Sequence, residues 1–202
     1  MTISRRGLIA AAGLLVPASP ALAQDRLPPV SIRRSELTVS RSLAVARPDL
    51  PVPSDRGMLF YVQHAINKNV LVYAARQRPD GGLDPQAPVE VFWRRYDDDN
   101  GNRRELSFFE RVFAFGVSAQ SIAPSRYSAR IAGYRERDAV IEVGSDGKPR
   151  ALMTAGQRTF RVVYAYAQAE DRRFIPKIHY IDIHGIDIAS GEAVRERVRL
   201  DM

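Results

Sequence analysis

The fold is decided by residues 58–73, which read MLFYVQHAINKNVLVY. Two runs of β-branched and aromatic residues, Met58–Val62 and Val70–Tyr73, stand on either side of a polar turn at Asn67–Asn69. Short apolar runs bounded by turn residues are typical of β-strands. This stretch therefore predicts two consecutive strands and opens a series of similar runs.

The same pattern continues to the end of the chain. Turns are marked by Asp80-Gly81, Asn100-Gly101, Asp146-Gly147 and Ser190-Gly191, because Asn-Gly and Asp-Gly accept the positive φ of tight hairpins. Nine hairpin-linked strands predict an all-β antiparallel meander, closed as a lipocalin-like barrel without exposed edges. A two-sheet β-sandwich is the alternative. The other predicted strands are Val89–Trp93, Tyr127–Tyr134, Ala139–Val143, Ala151–Thr154, Thr159–Tyr166, Lys177–His184 and Ala193–Leu200.

Alternation within the strand Thr159–Tyr166 makes a prediction about its two faces. Every second residue is large and apolar, which predicts that one face carries Phe160, Val162, Tyr164 and Tyr166. A wall with aromatic residues on one face fits a barrel or a sandwich.

One stretch departs from the strand pattern. Leu106, Phe109, Val112 and Phe113 recur at three- and four-residue spacing, which is a helical period. We expect one short helix over residues 104–113 that packs on the sheet or caps it and ends near Gly116.

The chain divides into three parts. Residues 1–23 form an export signal, residues 24–57 a proline-rich entry segment, and residues 58–202 a single β-rich domain. Within the entry segment, residues 35–45 are expected to form a strand or an arm that lies on the domain.

The N-terminus has the order of an export signal: a basic pair, a short apolar run and a small-residue cleavage site. Arg5 and Arg6 match the twin-arginine pattern, and Ala21 and Ala23 occupy the cleavage-determining positions. The expected partners are the twin-arginine machinery and signal peptidase, and the mature protein is expected to be periplasmic or secreted from Gln24. The apolar run of about ten residues is too short to span a bilayer.

Composition limits the chemistry of the mature chain. It has no cysteine, which excludes thiol nucleophiles, thiolate metal sites and disulfides. The net charge of +7 falls to +5 without Arg5 and Arg6. The remaining arginines are scattered instead of clustered, so no nucleic-acid partner is expected.

Searches for catalytic and cofactor motifs fail, and no cofactor is expected. On a strand, Asp182 and His184 share a face, while His179 points to the other face. Of these three residues, only Asp182 and His184 would act together on a metal or a proton. His64 would be a third member if its strand lies nearby. The run from Asp97 to Asn102 lacks calcium-loop spacing and is interpreted as a polar hairpin tip.

Two further residue sets carry functional hypotheses. Glu90, Asp182 and Asp187 would supply a glycosidase-like carboxylate pair if the fold brought two of them together. Aromatic residues on the strands have two interpretations: they would either line a ligand pocket or belong to the core. The candidate ligand-binding residues are Tyr61, Trp93, Tyr164 and Tyr166.

Several segments resemble a known family. The segments are residues 59–63, 67–73, 88–96 and the stretch from Glu105 to Val117. In order and spacing they resemble an uncharacterised family of exported bacterial proteins, a domain of unknown function, over about residues 58–200. The resemblance implies a single exported β domain and brings no activity, cofactor or catalytic residue.

Three functions are compatible with these observations. The first is non-catalytic binding of a small apolar or amphipathic ligand, such as a lipid, by an envelope protein. The second is an interaction or structural module of the envelope, marked by an exposed apolar or basic patch. The third is a hydrolase of an envelope glycan.

Overall fold

The computed structural model describes residues 31–43, 47–171 and 176–201. These residues are 59% strand and 4% helix, so the all-β prediction is confirmed. The described elements are β1 (Ser31–Ser40), β2 (Met58–His64), β3 (Val70–Ala75), β4 (Val89–Arg95), β5 (Asn102–Glu105), a short π-helix (Glu110–Ala114), β6 (Val117–Ala123), β7 (Arg126–Ile131), β8 (Tyr134–Val143), β9 (Pro149–Ala155), β10 (Arg158–Glu170), β11 (Lys177–Asp187) and β12 (Ala193–Asp201).

The strands form one curled sheet, which confirms a barrel-like architecture. Nine strands make a half-barrel in the order β5-β4-β3-β2-β10-β9-β8-β7-β6, and β11, β12 and β1 continue from β10. Two arms leave the same edge of β10: residues 158–161 pair with β9, and residues 164–167 pair with β2. The β2–β10 pairing is parallel, with Tyr61 opposite Tyr164, so the predicted meander is interrupted at this point.

A β-bulge in β10 marks the point where the two arms separate. Phe160 and Val162 pack into the concave core, but the register shifts between Val162 and Tyr164. Tyr164 packs instead with Tyr61 on the convex side. The prediction that Phe160, Val162, Tyr164 and Tyr166 share a face is wrong, because the extra residue of a bulge reverses the alternation.

The four predicted turns are present. Their glycines have the positive φ that tight turns require: Gly81 (+83°), Gly101 (+80°), Gly147 (+73°) and Gly191 (+73°). Local sequence therefore determined where the strands end.

The helix is shorter than predicted and begins later. Residues 102–105 form β5 on the edge of β4, with Trp93 opposite Arg104, so the start of the predicted helix is wrong. Hydrogen bonds along this sheet edge outweigh the local helical period. Leu106 is buried, whereas Phe109 and Val112 are exposed, so the predicted apolar face does not pack on the sheet as a unit.

Two further boundaries differ from the expectation. The predicted strand Tyr127–Tyr134 is divided by a turn at Ala132 and Gly133 into β7 and β8. Strand β6 was not predicted, because its mostly small and polar residues are exposed at the end of one arm.

The described part of the entry segment, residues 31–43 and 47–57, lies on the domain. Strand β1 ends at Ser40 and pairs antiparallel with β12. After it, the Gln63 side chain on β2 donates a hydrogen bond of 2.9 Å to the carbonyl of Pro51. Residues 1–30 lie outside the described residues, including Arg5, Arg6, Ala21 and Ala23, and so do residues 44–46.

One hydrophobic cluster occupies the concave side of the sheet. Its members come from both arms and from β10, β11 and β12, so burying them holds the curled shape. The largest fully buried side chains of the cluster are those of Leu71, Tyr73, Leu83, Ile141, Phe160, Val194 and Val198.

The same side also holds a buried charge. Glu196 on β12 is fully buried and accepts hydrogen bonds from the Ser35 hydroxyl and the Arg137 guanidinium. Arg137 belongs to β8, so this ion pair joins one arm to the β1–β12 part of the sheet.

Candidate functional site

Three of the four predicted ligand-binding residues lie together on the convex side. Tyr61 stacks on Tyr164 with ring centroids 5.6 Å apart, and Tyr164 stacks on His184 at 4.3 Å. Tyr166 follows on the same strand, and all three tyrosines are buried. The bulge in β10 and the parallel β2–β10 pairing bring this row together.

The tyrosine row is covered by the entry segment. Leu43 packs against Tyr61 and Tyr164, and the Arg47 guanidinium donates a hydrogen bond of 3.2 Å to the Tyr166 hydroxyl. Their aromatic surface therefore contacts the chain itself, and a ligand role for these residues stays a prediction.

Trp93 lies on the other side of the sheet. Its ring packs edge-on against Phe115 at 5.3 Å, and its Nε1–H donates to the Glu110 carboxylate at 3.0 Å. Partial burial opposes ionisation of Glu110, but hydrogen bonds from Ser107 and Trp93 outweigh it and lower the pKa of the carboxyl group. Trp93 thus holds the π-helix against the core, and the structure does not bring it to the tyrosine row.

The histidines do not converge. His64 packs edge-on against Trp93 at 6.0 Å, whereas His184 stacks on Tyr164, on the opposite side of the sheet. Burial lowers the pKa of both, that of His184 to about 4. His179 lies 2.9 Å from Glu170. Within the described ranges, no three His, Cys, Asp or Glu side chains are grouped to hold a metal.

Asp182 shares a strand face with His184, as predicted, but its carboxylate is occupied. Arg197 donates two hydrogen bonds of 2.7 Å to its two oxygens, and the guanidinium lies 4.0 Å from the centre of the Tyr180 ring. Both oxygens of the Asp182 carboxylate are therefore engaged by Arg197.

The other candidate carboxylates are also paired, each at a different place. Glu90 on β4 contacts Arg103 at 3.1 Å, and Asp187 at the end of β11 contacts Arg158 at 3.1 Å. Strand β4 is separated from β11 by β3, β2 and β10. The glycosidase-like pair suggested by the sequence is therefore not assembled from Glu90 and the β11 carboxylates.

The acidic hairpin tip between β4 and β5 is a structural turn, as interpreted. The Asp97 carboxylate accepts a hydrogen bond of 2.8 Å from the Lys68 backbone N–H, and Asp98 pairs with Arg95. The Asp97 contact holds the hairpin against the turn between β2 and β3, and the Asp98 contact lies within the hairpin itself.

A polar hollow lies beside this tip. Its volume is about 310 Å³, and it is bordered by the entry segment on one side and the hairpin on the other. Sequence reasoning did not find it, since its two sides are about forty residues apart. The lining residues are Ser54, Asp55, Arg94, Tyr96, Asn100 and Gly101.

An exposed apolar patch is the second feature that the sequence did not reveal. It comprises Phe108, Phe109 and Val112, with exposed fractions of 70%, 72% and 40%. The available signal was the adjacent phenylalanine pair, but the helical period placed Phe109 on the face expected to pack on the sheet and did not include Phe108. Exposed aromatic clusters of this kind mark interaction surfaces.

Comparison with known proteins identifies the family. The domain of unknown function DUF4833 matches residues 60–197. The chain belongs to this family. The match runs from β2 into β12, so it includes the exposed apolar patch, the tyrosine row and the hairpin side of the polar hollow. Ser54 and Asp55, on the other side of the hollow, precede the matched residues. No curated protein and no solved structure gives a significant match.

Within the described part of the chain, none of the helical segments has the length and apolarity to cross a membrane.

Proposed function

We propose that this DUF4833 protein is an exported envelope protein that binds an amphipathic lipid, without catalysis, through its exposed apolar patch. The observation that carries the proposal is the pair of adjacent phenylalanines, Phe108 and Phe109, each about 70% exposed. The concave side of the sheet carries the protein's own core. The lipid is therefore expected at the surface and not inside the half-barrel.

The patch is contiguous. The Phe108 and Phe109 ring centroids lie 5.8 Å apart, and Phe109 and Phe113 are 6.1 Å apart. Val112 lies one turn further along the same short helical segment. Together they offer one apolar surface to a lipid phase.

The patch is also held rigidly in its exposed position. Ser107 and Glu110 form a reciprocal capping box, since each backbone N–H donates to the other side chain, at 2.8 and 3.3 Å. At the other end, the Gly133 N–H donates to the carbonyl of Ala114 at 2.7 Å, and the Tyr73 hydroxyl donates to that of Phe115 at 3.1 Å. The Trp93 indole on β4 also donates to Glu110, so the segment is fixed at both ends and its aromatic rings stay outside.

The size of the patch favours a lipid phase over a protein partner. A phenylalanine buries roughly 200 Å², so the exposed parts of the two rings supply about 280 Å². A stable protein interface takes about 800 Å² from each partner. Insertion into lipid needs no such complementary area, and removing about 280 Å² from water is worth up to about 7 kcal/mol.

Basic side chains beside the patch suit an anionic lipid surface. Arg104 is exposed and has no ion pair with a described carboxylate, and Arg111 contacts Glu105 only at 3.8 Å. Basic residues next to inserted aromatic residues add electrostatic attraction to anionic headgroups.

The location of the protein is inferred from its N-terminus. The pair Arg5-Arg6, the short apolar run and the small residues Ala21 and Ala23 support twin-arginine export and cleavage before Gln24. Cell fractionation tests this: the wild-type protein is expected outside the cytoplasm with Gln24 as its first residue. The R5K/R6K variant is expected to stay inside, and equal export of both would contradict the twin-arginine route.

The binding proposal is tested by co-sedimentation with phosphatidylglycerol–phosphatidylethanolamine vesicles. The F108S/F109S variant is expected to lose at least about tenfold in affinity, since much of the inserted area is removed. The matched control is I122S/I188S, which changes two exposed isoleucines at other places and is expected to bind like wild type. All variants have the same N-terminus, so the apolar run of the export signal cannot cause a difference in vesicle binding between them.

Two results would overturn the proposal. One is equal vesicle binding by wild type and F108S/F109S. The other is a concentration-dependent dimer in light scattering that F108S/F109S abolishes, because the patch would then be a protein interface.

A further inference from the structure

The polar hollow beside the β4–β5 hairpin is separate from the apolar patch. It lies at the hairpin tip, where β5 begins, whereas Phe108 and Phe109 follow the other end of β5. An inference about the hollow therefore does not depend on lipid binding.

The wall of the hollow is fixed before any ligand arrives. The Arg94 guanidinium donates from Nε to both oxygens of Asp55 at 3.1 Å, also contacts Asp55 through Nη2, and donates from Nη1 to the carbonyl of Gly101 at 3.1 Å. This one side chain joins the entry segment to the hairpin tip. The Asp55 side chain is only 9% exposed, so the pair is largely shielded from water.

The hairpin side is equally constrained. Asn100 has a φ of +48°, in the left-handed region that asparagine tolerates, and Gly101 follows at +80°. The Gly101 N–H donates to the carbonyl of Arg95 at 2.8 Å, which closes the turn. The Asn100 side chain is thus presented at the rim by a backbone that has little freedom to move.

Two polar groups at the hollow are available to a ligand. Among the described residues, neither the Ser54 hydroxyl nor the Asn100 amide has a hydrogen-bond partner. The hydroxyl and the amide each donate and accept, and the Asp55 carboxylate accepts. Tyr96 adds an aromatic ring to a lining that has no aliphatic side chain.

This chemistry excludes several ligand classes. An apolar molecule would leave the polar lining unpaired, which is costly. An anion would meet an Arg94 guanidinium whose charge is already balanced by Asp55. A metal ion would meet a single carboxylate that is already bound to Arg94. A neutral molecule with several hydroxyl groups satisfies the lining, because the Asn100 amide and the Ser54 hydroxyl can each donate to and accept from such groups.

We propose that the polar hollow binds one neutral saccharide unit. Its volume of about 310 Å³ is at the small end of ligand sites, which suits a single sugar ring. The Asn100 amide and the Ser54 hydroxyl bond the sugar hydroxyls, and Tyr96 contacts the ring.

Saturation-transfer NMR and calorimetry test the proposal with glucose, galactose, N-acetylglucosamine and their β-1,4-linked dimers. At least one sugar is expected to bind saturably below about 10 mM. Tighter binding of a dimer than of its monomer would indicate a glycan chain as the source, and equal binding would indicate a free sugar.

The decisive variant is N100G. Glycine accepts the left-handed backbone without strain, so the turn is kept while the amide is lost. Sugar affinity is expected to fall by about tenfold in N100G and severalfold in S54A. The matched control is Q86G, which removes an exposed amide from another loop and is expected to bind like wild type.

Two results would overturn the assignment. The first is no saturable signal from any of the sugars up to about 10 mM with folded wild-type protein. The second is binding of equal strength in N100G, S54A and Q86G, which would place the sugar elsewhere on the molecule.

Discussion

Replacement of Gly185 by alanine tests the branch point of the sheet. Gly185 is on β11, opposite Val162, at the bulge where β10 changes faces. A methyl group there would lie well under 3.0 Å from the Arg161 carbonyl oxygen and from the Phe160 ring. One obstacle is backbone and the other is a fully buried ring, so neither moves aside easily.

The expected loss of stability follows from these contacts. Overpacking a well-packed site costs about 1–3 kcal/mol, and the backbone obstacle places Gly185→Ala near about 3 kcal/mol. For a chain of this size, each kcal/mol lowers the melting temperature by about 2–4 °C, so we expect a fall of about 6–12 °C.

Thermal unfolding followed by Trp93 fluorescence measures this change, since Trp93 is the single tryptophan and is buried in the concave core. Gly82→Ala is the control. A methyl group at Gly82 would meet mainly the flexible ends of the Arg78 and Asp80 side chains, so a change within about 0.5 kcal/mol is expected. If Gly185→Ala has the same melting temperature as wild type, the close approach of β11 to the bulge is refuted.

Three further predictions concern buried polar groups. Arg137→Ala is expected to lower the free energy of unfolding, measured with urea, by about 3–5 kcal/mol, because it leaves the Glu196 charge buried without its partner. The R137M/E196M double variant should lose less stability, because it removes both charges. An equal loss in the two variants would contradict this explanation. The folded pKa of His184, about 4, lies below its unfolded value of about 6.5, so stability is present above pH 6.5 and is lost as pH falls toward 4. This decrease in the free energy of unfolding is on the order of 2 kcal/mol after allowance for solvent screening, and it should be absent in His184→Gln. If the pH dependence of stability is unchanged in that variant, other groups cause the decrease. Trp93→Phe removes the hydrogen bond to Glu110 and should lower the free energy of unfolding by about 1 kcal/mol, measured by thermal unfolding with circular dichroism. No change would mean that this hydrogen bond does not help to hold the π-helix.

Strand positions were predictable because they depend on neighbours in sequence. The runs Met58–Val62 and Val70–Tyr73 combine β-forming side chains with a polar turn between them, and both are strands in the structure. Turn glycines such as Gly81 were predictable for the same reason, since only the local backbone decides where a positive φ is needed.

The candidate sites were not predictable, because each depends on residues far apart in the chain. Phe109 and Val112 follow a helical period, yet they are exposed because the segment is fixed by residues far away in the chain: Trp93 at its start, and Tyr73 and Gly133 at its end. The polar hollow joins Asp55 to Asn100 through Arg94, a contact that no local pattern contains.

The sequence by itself determined the all-β class, most of the strand positions, the predicted turns and the membership of DUF4833. Local propensity and alternation are properties of neighbouring residues, so a linear reading recovers them. Only the tertiary structure decided which face each side chain occupies beyond the β10 bulge, how the two arms share β10, and which apolar residues stay in water. These outcomes depend on strand pairing between distant segments, where one extra residue reverses every side chain after it.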